Sequence, residues 1–237
     1  MAGGKLEDKV VLFIHGAGGS SEVWLNQLSP IEGYRLLALD LPGHAHSEGS
    51  PASNINENSH FIADFIQTQN LHSVILVGHS MGGGIVLECA LAHPEWLRGM
   101  ILMDTGARLR VKKETLEQLR QGSLPYEIIP YLYRQKTEPE VLRQALEEMK
   151  GISTKVYLAD FQACDAFDRS KDLQDLNIRA CIICGEDDRM TPPKYSTTLH
   201  EVLPNSELKI ISKAGHMSMQ ENPEDVNRAI AEFLIKV

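Results

Sequence analysis

A serine stands between two glycines in Gly78-His79-Ser80-Met81-Gly82, directly after the apolar run Ser73 to Val77 and directly before a helical pattern that begins with Gly83 and Gly84. Gly-x-Ser-x-Gly alone arises often by chance, so its setting decides its meaning. Where a strand turns sharply into a helix, the serine is held in a strained conformation with its hydroxyl exposed, and the first amides of the helix favour negative charge developing there. Glycines flank such a serine because a Cβ at either position would collide with neighbouring backbone. Ser80 is thus a candidate nucleophile, with Gly78 and Gly82 as its elbow glycines. The bland alternative is a glycine-rich turn carrying an inert serine, and only the presence of chemical partners separates the two.

His15-Gly16-Ala17-Gly18-Gly19 ends the first apolar run and is flexible enough to bring a backbone N–H against a substrate. Such a loop can also cradle a phosphate, but this one lacks the Gly-Lys-Ser/Thr of a P-loop and a full G-x-G-x-x-G fingerprint. Beside a serine nucleophile its better use is an oxyanion hole. One N–H would come from this loop and one from the residue after the serine, both aimed at a carbonyl oxygen as it gains charge. Ala17 and Met81 are the candidate donors, with Gly16 as a loop glycine and Gly18 as the alternative donor.

A base and an acid come late in the chain. Gly185-Glu186-Asp187-Asp188-Arg189-Met190-Thr191-Pro192 follows the fifth apolar run and Ala214-Gly215-His216 follows the sixth. Serine, then acid, then histidine, each just past the C-terminal end of a strand, is the order of a triad on an open parallel sheet, whose sites form at that edge. The chain has nine histidines, so coincidence is a real factor for any one of them. His60, His72, His93 and His200 read as helix-surface or turn residues. His216 differs because its loop returns toward the middle of the sheet. On spacing alone, Asp187 and Asp188 both remain candidates for the acid.

The elements that must position these groups are six short apolar runs alternating with helix-like stretches, the pattern of a mostly parallel sheet covered by helices on both faces. The runs are Val10 to Ile14, Arg35 to Leu39, Ser73 to Val77, Gly99 to Met103, Ala180 to Cys184 and Leu208 to Ile211. Apolar spacing predicts helices over Ile55 to Gln69, Met81 to Ala92 and Pro223 to Ile235, the last with Asn222 as N-cap and Pro223 in its first turn. From Arg108 to Lys171 the alternation stops, leaving helical patterns (Lys113 to Arg120, Glu138 to Met149) and no central strand. The expected organisation is an α/β core over 1–107 and 172–237 with a helical lid, 108–171, inserted after the fourth strand. Leu124-Pro125-Tyr126 and Ile128-Ile129-Pro130-Tyr131 serve either as lid packing or as the roof of a pocket. Tyr126 and Ile129, with Met217 beside the histidine, are the candidate pocket residues.

Composition excludes several functions. The 237 residues are 43% hydrophobic, enough for a large core, and a net charge of -9 repels phosphate backbones and anionic lipid headgroups. The start of the chain is polar and no stretch approaches a membrane span, so a cytoplasmic protein with neither nucleic-acid nor membrane partners is expected. Cys181 and Cys184 have the spacing of a redox or zinc motif. They lie in an apolar strand, where residues three apart face opposite ways and can share neither a bridge nor a metal.

With these residues in view, the whole chain resembles the α/β-hydrolase superfamily, near its small carboxylesterase and enol-lactonase branch. The matches are the elbow, His15-Gly16 after the first strand, Asp40-Leu41-Pro42-Gly43-His44 after the second, Gly185 to Pro192, and Gly215-His216 followed by Glu221-Asn222-Pro223. The resemblance puts the acid three residues after Gly185 and four before Pro192, which selects Asp188 over Asp187. Asp104, at the end of the fourth strand, is the fallback, since some similar proteins carry the acid there. Two departures stand out. Only nine residues precede the first run, so the antiparallel hairpin with which similar proteins usually begin is expected to be missing. Ala45 occupies a position where the family typically has glycine.

The resemblance implies a serine hydrolase acting on esters, lactones or thioesters of small to medium, mostly apolar substrates. It would form an acyl-enzyme on Ser80, with His216 as base and Asp188 orienting it, and would need no cofactor or metal. Serine at the elbow sets aside the similar dehalogenases and epoxide hydrolases, whose nucleophile is a carboxylate. Two alternatives use the same residues: a carbon–carbon hydrolase or lyase, and a slowly turning ligand receptor in signalling. The expected partner is a small-molecule ester, with the chain a monomer or homodimer.

Overall fold

The structure, a computed structural model, describes residues 9–237. Residues 1–8, on which the expectation of a missing first hairpin bears, lie outside the described residues. Six strands form one parallel sheet: β1 (Lys9–Ile14), β2 (Tyr34–Leu39), β3 (Val74–His79), β4 (Leu97–Met103), β5 (Ala180–Gly185) and β6 (Ser206–Ile211). Their spatial order is β2-β1-β3-β4-β5-β6. The six apolar runs fall in these six strands, apart from Ser73, which precedes β3. β4 and β6 each begin two residues before the apolar run, because the ladder extends through polar residues such as Ser206 and Glu207, which pair with Ala180 and Cys181.

Along the chain the helices are α1 (Ile55–Thr68), α2 (Met81–Ala92), α3 (Lys113–Arg120), α4 (Ile129–Leu132), α5 (Pro139–Lys150), α6 (Thr154–Ala166), α7 (Pro193–Val202), α8 (Ser218–Glu221) and α9 (Pro223–Leu234). The ends of α1 and α9 follow from their caps: Asn54 accepts from the Glu57 N–H at 2.8 Å and Asn222 from the Asp225 N–H at 3.3 Å. Alternation along each strand sorts the side chains into two layers. Leu12, Leu76, Leu102 and Ile182 pack with α1, α2 and α7, whereas Phe13, Val77, Ile101 and Ile183 pack with Trp24 and α9. Cys181 joins the second layer, and Ala180 and Ile182, which share the parity of Cys184, join the first. The four cysteines are free and buried.

From β1 the chain runs to β2 on one side and then crosses to β3 on the other. The loops after β1 and β3 therefore diverge at a switch point, where a parallel sheet opens a crevice at its C-terminal edge. Helices α3 to α6 all fall between β4 and β5, and their apolar faces form a further cluster that includes Leu119, Ile129, Tyr133, Met149, Tyr157 and Phe161. Sequence periodicity identifies α3 and α5 but not α6. That helix buries Asp160 and Cys164 along with Val156, Tyr157 and Phe161, so a carboxylate interrupts its buried face and breaks the apolar stripe.

Candidate active site

Ser80 lies between β3 and α2 with φ 53° and ψ −115°, a left-handed backbone that costs a non-glycine residue about 1–3 kcal/mol unless its surroundings enforce it. They do. The Ser80 N–H donates to the Met103 carbonyl at 2.9 Å, and the Ser80 carbonyl accepts from the Gly83 N–H at 2.9 Å and from Thr105 Oγ1 at 2.7 Å. A Cβ on Gly78 would overlap the Gly82 carbonyl, and one on Gly82 would overlap the Ile14 carbonyl, so both elbow glycines are sterically required. One on Gly16 would come within 3.1 Å of Ser80 Cβ, which shows how closely the loop after β1 approaches the serine.

The Ser80 hydroxyl reaches His216 Nε2 at 2.9 Å, and His216 Nδ1–H donates to Asp188 Oδ2 at 2.9 Å. Asp188 also accepts from the Met190 and Thr191 amides and from Thr191 Oγ1, at 2.8, 2.9 and 2.8 Å. Burial raises the pKa of this carboxyl, but the His216 charge and these bonds outweigh burial and leave it below the ordinary carboxylate value. Burial likewise lowers His216, and the Asp188 charge and hydrogen bond overcome it, leaving the imidazole above its ordinary value. Asp187 is exposed on the same turn. The fallback acid, Asp104, makes no bond to His216. It accepts from the Gly185 N–H at 2.8 Å and from Ser218 Oγ at 2.5 Å, and burial, with the nearby Asp188 charge, pushes its pKa up to about 8.

Sequence reasoning missed His79, which there was only the variable residue of the elbow. Its Nε2–H donates to the His216 carbonyl at 2.8 Å and the two rings lie 4.8 Å apart. Burial, reinforced by the proximity of His216, holds it neutral with a pKa of about 3. Glu221 was noted only as part of a family match. Its carboxylate accepts from the Gly215 N–H at 2.6 Å, from the Arg134 N–H at 3.2 Å and from Thr137 Oγ1 at 2.7 Å, so it joins the histidine loop to the inserted helices.

Of the candidate donors, Met81 is the first residue of α2, so its N–H has no acceptor within the helix. Ala17 lines the same cavity as Ser80. The alternative donor, Gly18, is corrected by the structure: its N–H is taken by Asp160 Oδ2 at 2.7 Å. Gly18 has φ +62°, and a Cβ there would overlap the Tyr157 ring.

Above Ser80 is a cavity of about 130 Å³ whose walls come from the loop after β1 and from α4 to α6, including Leu132, Tyr133, Met149, Tyr157 and Phe161. Met217 lines it as expected. Tyr126 and Ile129 do not, and this corrects the pocket reading. Tyr126 begins a 3₁₀ turn and points outward at 42% exposure, while Ile129 is buried among the inserted helices behind the wall; Ile128 supplies the lining instead. Among the described residues, no Lys or Arg lines the cavity and Glu148 is the one carboxylate that does.

Among the described residues, Asp104, Cys184 and Asp188 bring ligand-type atoms within 4.8 Å of one another. The carboxylates are already committed to N–H and O–H donors, and burial holds the Cys184 thiol protonated, which leaves an ion little to bind. No helix among the described residues is long and apolar enough to cross a membrane.

The family model described as "Alpha/beta hydrolase family" matches residues 11–229. A solved thermophilic esterase is 32% identical, with a TM-score of 0.85 over 95% of this chain and 89% of that one. A 2-hydroxy-6-oxononadienedioate/2-hydroxy-6-oxononatrienedioate hydrolase of Burkholderia vietnamiensis is 26% identical over 96% of this chain and 87% of its own length. A dihydrolipoyllysine-residue acetyltransferase component of the acetoin cleaving system of Cupriavidus necator is 28% identical over 95% of this chain, which spans 63% of that relative.

Proposed function

Because the chain belongs to the alpha/beta hydrolase family, we propose that it is a serine hydrolase that cleaves uncharged carboxylic esters with short acyl groups. One observation carries this reading: Ser80 Oγ, His216 and Asp188 form a continuous chain of 2.9 Å contacts, and Ser80 and His216 line an apolar cavity to which the described residues supply no Lys or Arg. His216 Nε2 takes the Ser80 proton as Oγ attacks the ester carbonyl carbon. The tetrahedral oxyanion is held by the Ala17 and Met81 N–H groups. The intermediate collapses, the alkoxide leaves with the proton from His216, and the acyl group remains on Ser80. Water then attacks the acyl carbon and gives its proton to His216; collapse returns that proton to Ser80 and releases the acid. Asp188 stays ionised throughout and stabilises the imidazolium.

The cavity of about 130 Å³ compares with the apolar cavity of about 150 Å³ that accommodates benzene. It therefore suits a short chain or a single ring. Carbon–carbon hydrolysis is the second reading, favoured by the Burkholderia vietnamiensis relative, whose name denotes a dioate substrate. The lining works against it here: a buried carboxylate needs a counter-ion, the described residues supply no Lys or Arg to the cavity, and Glu148 is an acidic neighbour. The test is a panel of nitrophenyl esters from acetate to decanoate beside a dicarboxylate dienoate. Rapid Ser80-dependent turnover of the shortest esters supports the proposal. Preference for the dienoate would replace it with the second reading.

A further inference from the structure

The loop Gly16–Gly19 can present the Ala17 N–H to a substrate only while its own conformation is fixed, and glycine-rich backbone does little to fix itself. Within the loop, the Gly19 N–H closes a turn onto the Gly16 carbonyl at 3.1 Å. Outside it, the Gly18 N–H donates to Asp160 Oδ2 at 2.7 Å. Asp160 is on α6, one of the inserted helices, 142 positions along the chain.

The same Asp160 oxygen accepts from His44 Nε2–H at 2.8 Å, and His44 Nδ1 faces the Pro42 carbonyl at 3.1 Å. Both ring nitrogens thus face acceptors, an arrangement that the imidazolium satisfies and the neutral ring does not. His15, with its ring 4.8 Å from that of His44, is the opposite case. Its Nδ1–H donates to the Gly16 carbonyl at 2.8 Å and its Nε2 accepts from the Leu41 N–H at 3.0 Å, which is the neutral form. Burial lowers the pKa of His44, but the Asp160 hydrogen bond and charge leave it above the ordinary value, whereas burial takes His15 down to about 4. The other titratable groups around the pair are Asp40, beyond His15, and Tyr157 and Cys164 of α6, both pushed up by burial and neutral.

Asp160 is fully buried, and its Oδ1 has no partner among the described residues. A buried pair with one oxygen left unsatisfied is a poor stabilising device, since apolar residues of similar size often do as well or better. What this pair supplies is a fixed acceptor for one particular amide. On the hydrolase reading above, we propose that Asp160 is the positioning residue that holds the oxyanion loop in its donating conformation, with protonated His44 as its counter-ion. Hydrolysis is thereby tied to the seating of α6, because lifting that helix would remove the acceptor from Gly18.

The test compares wild type with Asp160→Ala, Asp160→Asn and His44→Gln in three assays: hydrolysis of a nitrophenyl acetate per titrated Ser80, inhibition by phenylboronic acid, and thermal melting. The boronic acid forms a tetrahedral adduct on serine and so reads the donors directly. Asp160→Ala is expected to lose at least about a hundredfold in kcat, the effect of one missing donor, with KM little changed and boronic acid inhibition weakened in parallel. Asp160→Asn keeps an acceptor for Gly18 and should recover to within about tenfold of wild type. The wild-type rate should fall at alkaline pH as His44 loses its proton, and His44→Gln should lack that fall.

Turnover that survives Ser80→Ala would overturn the hydrolase reading and this one with it. In a Ser80-dependent enzyme, a folded Asp160→Ala with unchanged kcat or unchanged boronic acid inhibition would overturn this one alone. Should Asp160→Ala not fold, an alkaline limb unchanged in His44→Gln overturns it equally.

Discussion

His79 donates its Nε2–H to the backbone carbonyl of His216 at 2.8 Å, so the residue before the candidate nucleophile holds the loop that carries the candidate base. The bond needs a donor at all working pH values, and a ring whose pKa is held near 3 loses no proton that matters there. His79→Phe, which keeps the bulk and removes the donor, is expected to lower kcat by roughly ten- to a hundredfold, the scale of a small misplacement of a reacting group. Ester hydrolysis beside a thermal melt checks this, and a full rate would show that the loop is held by other contacts.

Asp188→Asn is expected to reduce kcat by about four orders of magnitude, because the amide favours the wrong imidazole tautomer. Asp187→Asn should stay within a few-fold of wild type, since Asp187 is exposed. Asp104→Asn should also remain active, because Asp104 makes no bond to His216, and burial with the nearby Asp188 charge already favours its neutral form. A ranking with Asp104 first would move the acid to the end of β4.

The rate should rise with pH as His216 becomes neutral, since only the free imidazole can take the serine proton. Asp188 raises the His216 pKa, so the midpoint should lie above the ordinary histidine value of about 6.5. Initial rates from pH 5 to 8 measure it. A midpoint well below 6.5 would mean that burial outweighs the carboxylate.

Ala45 holds φ +41°, a left-handed backbone for which glycine carries no steric penalty. Replacing alanine by glycine usually costs about 0.5–1 kcal/mol through the unfolded chain, but relief of a left-handed alanine returns about 1–2 kcal/mol. Ala45→Gly should therefore melt at or above the wild-type temperature. A clear fall in Tm would show that the alanine methyl does more than fill a strained position.

The strands could be read from sequence because each is a short continuous apolar run, and the three groups around Ser80 because each lies where such a run stops, a local signal. The residues that escaped owe their roles to distant neighbours. His79 matters through a loop 137 positions away, and Asp160 through a glycine amide 142 positions before it. The pocket wall went astray for a related reason. Composition marked the stretch around Tyr126 to Tyr131 as apolar, but which of its side chains turn inward depends on how α4 packs, and that orientation belongs to the tertiary structure.

The Ser80–His216 contact spans 136 positions, His44–Asp160 spans 116 and Arg134–Glu221 spans 87. Bonds of this separation are slow to form, because chain closure must precede any stabilisation they give, whereas the helices around them are local and fast. During refolding the chain should thus regain its helical circular dichroism well before its serine reactivity. A serine-directed phosphonate added at successive times would then act as a clock, marking when the last long-range loop has arrived.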